Sequence, residues 1–551
     1  MMKTEPPASA PLLPLDRRAL IKGGLLGAGL AGFPLSAATG ERGFTSGVAS
    51  GEPSAETVLL WTRYVAGAET TLRWEVAEAL DFAAVRAGGS ILAAPEADFC
   101  CKAIATGLVP GRWYYYRFVA PDGSVSDIGR TRTLPQGRTT RFRLAVFSCS
   151  NIGVGWFNAY AHAAAADDFD CVLHLGDYLY ESATYSGAAQ VPGARMIEPV
   201  GEAIALADYR QRYAQYRRDP DLRRLHQLFP MIAGWDDHES ANDSWEGGAE
   251  NHQPATEGPW PIRKAAAARA YREWMPVSDQ DWASYEIGDL ATLFRLETRL
   301  TARAEPFDIG RVLAGKTAPG EAEAALAAFR NGAWRDPARE MIGAGQQAWL
   351  AAGMQASRRA GKIWQVLAQQ VLMGSLRTPL DVTDWAGSGL PDYLRILIAA
   401  GVMASRAGLP MNMDAWDGYP AARSRIFTAA READANLISL AGDTHNAWGF
   451  DLAERGQPVG VEFGGQAVTS PGFESAFPQV SPGRIATSLR QANPGLVFAD
   501  TSQRGYMAVE LTRTAARCEY RFLGIGRQQA AGLAGTHTLI TLPGRRTLGV
   551  G

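Results

Sequence analysis

Several apolar runs in this chain end in side chains able to bind a cation. "FRLAVFSCSN" delivers Cys149 and Asn151, and "FDCVLHLGDYLYE" delivers Asp177 and Tyr180. "PMIAGWDDHESAND" brings Asp236, Asp237, His238 and Asn242, and "ANLISLAGDTHNAW" brings Asp443 and His445. Carboxylate and amide oxygens suit hard cations such as calcium, whereas imidazole, thiolate and phenolate suit a transition metal. Each piece alone has an ordinary reading. Gly-Asp after a strand is a common turn, "DDHE" fits a helix start, and a lone Cys is usually a small buried hydrophobe. Their recurrence at successive strand ends favours one shared site, because open α/β sheets bind ligands beyond the carboxyl ends of their strands. A Gly-rich phosphate cradle of Walker type and a serine nucleophile elbow are both missing from the sequence. His162, His174 and His226 read as structural.

These residues need elements to carry them. Residues 44–135 contain short aromatic and β-branched runs such as "TVLLWTRY", "TTLRWEVA" and "RWYYYRFVA", separated by turn signals. Alternation at period two and this spacing predict a β-sandwich of immunoglobulin or fibronectin III type, over 40–136. "LPQGRTTRF" reads as a linker. From residue 140 to 551, buried strands alternate with helical stretches such as "RKAAAARAYREWM" and "YPAARSRIFTAARE". That rhythm predicts an α/β domain with its sheets buried between helices. The terminal "MAVELT" and "RCEYRFLG" add antiparallel strands, expected at a sheet edge, while the last 26 residues have no clear assignment. Residues 303–342 and 374–415 are long and irregular, as insertions that line or cover a site often are.

The 551 residues include 46% hydrophobic and 20% charged residues, a balance that buries a sizeable core. A net charge of -3 without a basic block gives no reason to expect a nucleic-acid partner or an anionic membrane surface. Residues 1–38 read as an export signal. Arg17 and Arg18 precede a Gly/Ala/Leu stretch and "SAA", in the twin-arginine manner, and the stretch is too short and glycine-rich for a stable membrane span. The expectation is a periplasmic or secreted monomer. Of the five cysteines, adjacent Cys100 and Cys101 would point to opposite faces of a strand, and no disulfide framework is visible.

"FTSGVASGEP" with "VLLWTR", "SCSN" with "NAYAH", "FDCVLHLGDYLYE", "WDDHES", "WDGYPAAR" and "AGDTH" resemble, in order, the motifs of the PhoD-type alkaline phosphatases. These are a branch of the binuclear metallophosphoesterases, and the resemblance runs from about Phe44 to the "TSPG" at 469–472. It implies an N-terminal β-sandwich joined to a four-layer α/β core of two packed sheets flanked by helices. It further implies a ferric ion (Fe3+) with calcium (Ca2+), zinc or manganese being alternatives. Cys149, Asp177 and Tyr180 would bind iron, and Asp177 would bridge the metals. Asp237 or Asp236, with Asp237 preferred, then Asn242, Asp443 and His445 would complete the set. His238 matches a phosphate-facing histidine of the wider superfamily, and His238 or Arg299 would stabilise charge on the transferring group. Ser150 stands where glutamine is common, and Glu297, beside Arg299, where aspartate is common.

The expected activity is hydrolysis of small phosphate monoesters, with diesters as a further possibility, by in-line attack of a metal-bound oxygen. A phosphodiesterase or phospholipase-type hydrolase of the same family would use the same residues with a different pocket. A non-catalytic surface-binding protein is the alternative of another class, and the intact ligand set argues against it.

Overall fold

The computed structural model describes residues 41–183, 195–318, 320–385, 392–524, 529 and 532–551. The expected export signal, residues 1–38, lies outside them. The aromatic and β-branched runs near the N-terminus form β1 (Gly43–Gly51), β2 (Val58–Val65), β3 (Thr70–Ala77), β4 (Val85–Ala93), β5 (Cys100–Ala105), β6 (Trp113–Val119) and β7 (Gly129–Arg132). In β6, Tyr114, Tyr116 and Phe118 are buried while their neighbours are half-buried, the period-two pattern seen in the sequence. With Trp74 and Val76 of β3 they pack on Val48, Val58 and Leu60 of β1 and β2. The order β4-β3-β6-β7 makes one face of this sandwich.

The rest of the chain supplies β8 (Arg141–Phe147), β9 (Cys171–His174), β10 (Pro230–Ala233), β11 (Ala283–Ile287), β12 (Ala291–Arg295), β13 (Trp364–Ala368) and β14 (Leu437–Ala441). It continues with β15 (Ala447–Glu454), β16 (Gln457–Gly464), β17 (Leu496–Asp500), β18 (Arg504–Thr512), β19 (Ala516–Leu523), β20 (Leu533–Thr541) and β21 (Gly549–Val550). They lie in a ten-stranded sheet, β21-β20-β19-β18-β8-β9-β10-β1-β2-β5, and a seven-stranded sheet, β11-β12-β13-β14-β16-β15-β17. The two face each other across Leu144, Val146, Leu173 and Ile232 on one side and Leu293, Val366, Ile438 and Val461 on the other. Outside the first sheet, Ala145, Phe147 and Val172 meet helices 158–166, 206–218 and 260–274 through Tyr160, Tyr213 and Trp274. Outside the second, Leu367 and Leu437 meet helices 343–359 and 420–432 through Leu350 and Ile426. This is the expected four-layer core. Strands apolar on both faces read as continuous apolar runs, which is why their ends were legible in the sequence.

Three features differ from the sequence reading. The sandwich does not close on itself: β1 runs parallel to β10, with Ser50 opposite Pro230 and Gly51 opposite Met231, so β1, β2 and β5 extend the ten-stranded sheet. β18 lies inside that sheet, between β8 and β19, and the unassigned C-terminal stretch supplies β20 and β21 beyond it. "AWGFDLAERGQPVGVEFGG" forms the β15–β16 hairpin, turning at Arg455 (φ 50°) and Gly456 (φ 75°), the paired positive angles of a type I′ turn. Among the described residues, no helix is long and apolar enough to cross a membrane, and all five cysteines are free and buried.

Two expectations follow from this packing. A Cβ on Gly51 would collide with the Pro276 carbonyl and lie 2.8 Å from that of Met231, so Gly51→Ala should cost about 2 kcal/mol in urea unfolding by prising β1 from β10. Glu462 of β16 is buried and accepts from the Met373 and Gly374 amides, both at 2.8 Å, and from Ser439 Oγ at 2.9 Å. Burial still pushes its pKa up to about 7. The folded state therefore holds this proton more tightly than the unfolded chain. The stability it confers is full below the ordinary glutamate pKa and is lost as pH rises towards 7. In Glu462→Gln that slope should vanish from the pH dependence of the unfolding midpoint.

Candidate metal centre

The carboxyl ends of β8, β9, β10 and β14 meet at one place. Ligand atoms of Cys149, Asp177 and His445 lie within 4.8 Å of one another, as do those of Asp177, Asp237 and His238, and those of Asp236, Asp237 and Asp443. Cys149 (φ 59°), Asp177 (φ 52°), Asp443 (φ 65°) and His445 (φ 65°) all adopt the left-handed backbone region. Strain of this kind is retained where surrounding structure over-determines it, typically at functional sites. Gly176 (φ 112°) precedes Asp177 because any Cβ there would strike the backbone and Cβ of Asp236.

Tyr180 Oη donates to Asp177 Oδ2 at 3.1 Å, lies 3.1 Å from His445 Nε2 and accepts from Ser470 Oγ at 2.7 Å. The Nδ1–H of His445 faces the Pro471 carbonyl at 2.8 Å, which leaves Nε2 as the ligating lone pair. Burial pulls the His445 pKa down to about 4, so the ring is neutral. His238 lies ring against ring with Tyr180, centroids 4.1 Å apart. Its Nδ1 meets Glu181 Oε2 at 2.7 Å, and Glu181 Oε1 accepts from the Asn242 amide at 2.9 Å. Burial opposes a charge on His238, yet Glu181, Asp237 and Asp177 hold its pKa well above the usual value.

Arg299 is fully buried and has no face towards the cavity. Its guanidinium donates to Asp236, to Asp414 at 2.7 Å and to Asp443 at 2.9 Å. Arg303 also binds Asp414. Glu297 accepts from Trp235 Nε1 at 2.9 Å and from the Arg299 and Leu300 amides at 2.7 Å. The longer acid thus fixes the loop that carries the arginine. Glu239 binds the Asp177, Tyr178 and Asp236 amides and ties the β9 and β10 loops together. Glu181, Glu239, Asp414 and Arg303 were not singled out from sequence. As charged residues in loops they carry no local mark, and only Glu181 and Glu239 stand inside the motifs already quoted.

The cluster fits a polyvalent cation. Oδ1 of Asp177 and Oδ1 of Asp237 are buried with no hydrogen-bond partner, and buried oxygens of this kind call for a donor or an ion. Burial, and after it the neighbouring acids, pushes Asp236 up to about 8 and Asp443 up to about 7 against the pull of Arg299. Burial likewise raises Asp177 and the Cys149 thiol. These groups would rather hold protons than face one another charged, and a cation relieves that repulsion. Asp236 is spent on Arg299, whereas Asp237 lines a cavity of about 300 Å³ with Asp177, His238, Asn242, Asp443 and His445. Apolar Leu376, Met411, Trp448 and Phe473 share the rest of the lining with polar Asp243, Asn412 and Asp417. Every sequence-predicted site residue except Cys149, Tyr180 and Arg299 lines this cavity, and those three lie behind it in contact with the ones that do.

Known proteins resemble this chain along most of its length. The family described as PhoD-like phosphatase matches residues 144–520, and the PhoD-like phosphatase N-terminal domain matches residues 30–135. Alkaline phosphatase D of Bacillus subtilis (strain 168) is 29% identical over 517 residues, 89% of this chain and 79% of that protein. A solved structure of PhoD superposes with a TM-score of 0.73 at 27% identity, covering 94% of this chain and 93% of that one.

Removing the arginine tests the balance of charge. Arg299→Met leaves Asp236, Asp414 and Asp443 without their shared cation, and should cost about 3–5 kcal/mol in denaturant unfolding. A loss within experimental error would mean the acids do not depend on it.

Proposed function

This chain belongs to the PhoD-like phosphatase family and is a phosphoric ester hydrolase, and on that premise we propose that it is an exported phosphatase of small phosphate monoesters. The family is metal-dependent. The observation that carries the reading is the convergence of Asp177, Asp237, Asp443 and His445 on one cavity, with Cys149 directly behind them. Cys149, Tyr180, His445 and Asp177 would hold a ferric ion. Asp177, Asp237, Asn242 and Asp443 would hold calcium, with zinc or manganese as alternatives. Such ions, when bound, neutralise ester oxygens and lower the pKa of water enough to yield a nucleophile at neutral pH.

The chain's own residues do the rest. Glu181 fixes His238 with Nδ1–H towards the carboxylate, so Nε2–H points into the cavity and donates to an ester oxygen as charge grows there. Arg299 acts from behind, holding Asp236 and Asp443 in place. The apolar wall of Trp448 and Phe473 takes the organic part of the ester and keeps water away from it. That wall also favours a second reading, hydrolysis of diesters, since it offers room for another apolar substituent. Arg17 and Arg18, ahead of the glycine-rich stretch, support twin-arginine export to the periplasm or medium as a monomer.

Chelation should abolish hydrolysis of aryl phosphate, and elemental analysis should find iron with calcium. A visible charge-transfer band should be present in the enzyme and absent from Tyr180→Phe. Bis-aryl phosphate should give a lower kcat/KM than aryl phosphate; the reverse order would establish the diesterase reading. Full activity of metal-stripped protein would end the proposal.

A further inference from the structure

Away from the metal centre, a buried arginine has neither an anion nor a hydrogen-bond acceptor on its charged group. Arg217 closes helix 206–218 and is 1% exposed. None of its three guanidinium nitrogens has a hydrogen-bond partner. The groups that act on it most are Tyr178, Cys100 and Tyr116, none of which is charged at neutral pH. Its planar face lies 4.1 Å from the Trp61 ring centroid, a contact that returns only part of what desolvation removes.

The polar atoms around it are hydroxyls in the same condition. Tyr116 Oη and Ser50 Oγ are buried and unpartnered, and each lies close enough to influence the other or the guanidinium. Tyr178 Oη is engaged by His226 Nε2 at 2.9 Å. The neighbourhood is therefore rich in N–H and O–H groups, and the acceptors it offers are neutral hydroxyl oxygens, with Tyr178 the strongest influence on the guanidinium. No carboxylate is among the groups that act most on it, and buried Asp219 caps helix 220–228 and binds Arg195 instead. A water molecule could accept from these donors but would leave the charge standing. A small monovalent anion meets both needs.

We propose that Arg217, with the hydroxyls of Tyr116 and Ser50, forms an internal binding site for a halide-sized monovalent anion, chloride being the physiological example. Such an ion joins three parts of the chain: β1 through Ser50, β6 through Tyr116, and helix 206–218 through Arg217. Its role is structural, clamping the N-terminal strands to the catalytic layer.

The test uses the full-length, metal-loaded protein. Crystals grown in sodium bromide should show an anomalous scatterer beside the Arg217 guanidinium. Replacing gluconate by chloride at constant ionic strength, up to 200 mM, should raise the melting midpoint by about 2 °C by mass action. Arg217→Met should abolish that rise. Water without anomalous signal at this position would overturn the proposal. So would equal midpoints in chloride and gluconate, or an undiminished response in Arg217→Met. The bromide experiment needs no variant, so it decides the matter even if Arg217→Met does not fold.

Discussion

Mutual repulsion among buried acids is the constraint around which this molecule is built. Asp177, Asp236, Asp237 and Asp414 crowd together out of water beside half-buried Asp443, where like charges interact far more strongly than at a surface. Arg299, Arg303 and His238 supply what positive charge the chain itself offers. The remainder of the deficit is what makes the place a binding site for cations. A cluster neutralised entirely by arginines would be inert, and one without arginine would not fold as drawn.

Holding such a cluster takes rigid supports. Strands buried on both faces bring Cys149, Asp177 and Asp443 to one level, and a glycine at 176 lets the β9 and β10 loops touch. Carboxylates then serve as clamps for backbone amides: Glu239 across two loops, Glu297 beneath Arg299, Glu181 behind His238 and Glu462 beneath the 373–374 turn. Each is buried and multiply bonded, so its cost of desolvation is repaid in order rather than in net stability.

How much of this was legible beforehand follows from locality. Apolar strands followed at once by Asp, Cys or His are local patterns, and the four layers and the meeting of Cys149, Asp177, Asp237, Asp443 and His445 could be read from them. The pairing of Asp236 with Arg299 could not, because that arginine arrives from 63 residues further along the chain. Asp414 was hidden for the same reason, inside a long irregular stretch whose only visible property was its length. The continuation of the sandwich sheet into the catalytic sheet was equally out of reach. Two parallel strands about 180 residues apart leave no periodicity to link them.

The pairing of β8 with β18 sets Val146 beside Met507. That partner lies about 360 residues further along the chain. The apolar strand that leads into the Cys149 loop therefore gains its neighbour only through a contact that local folding cannot supply, and closing so distant a pair is the slow kind of step in building a sheet.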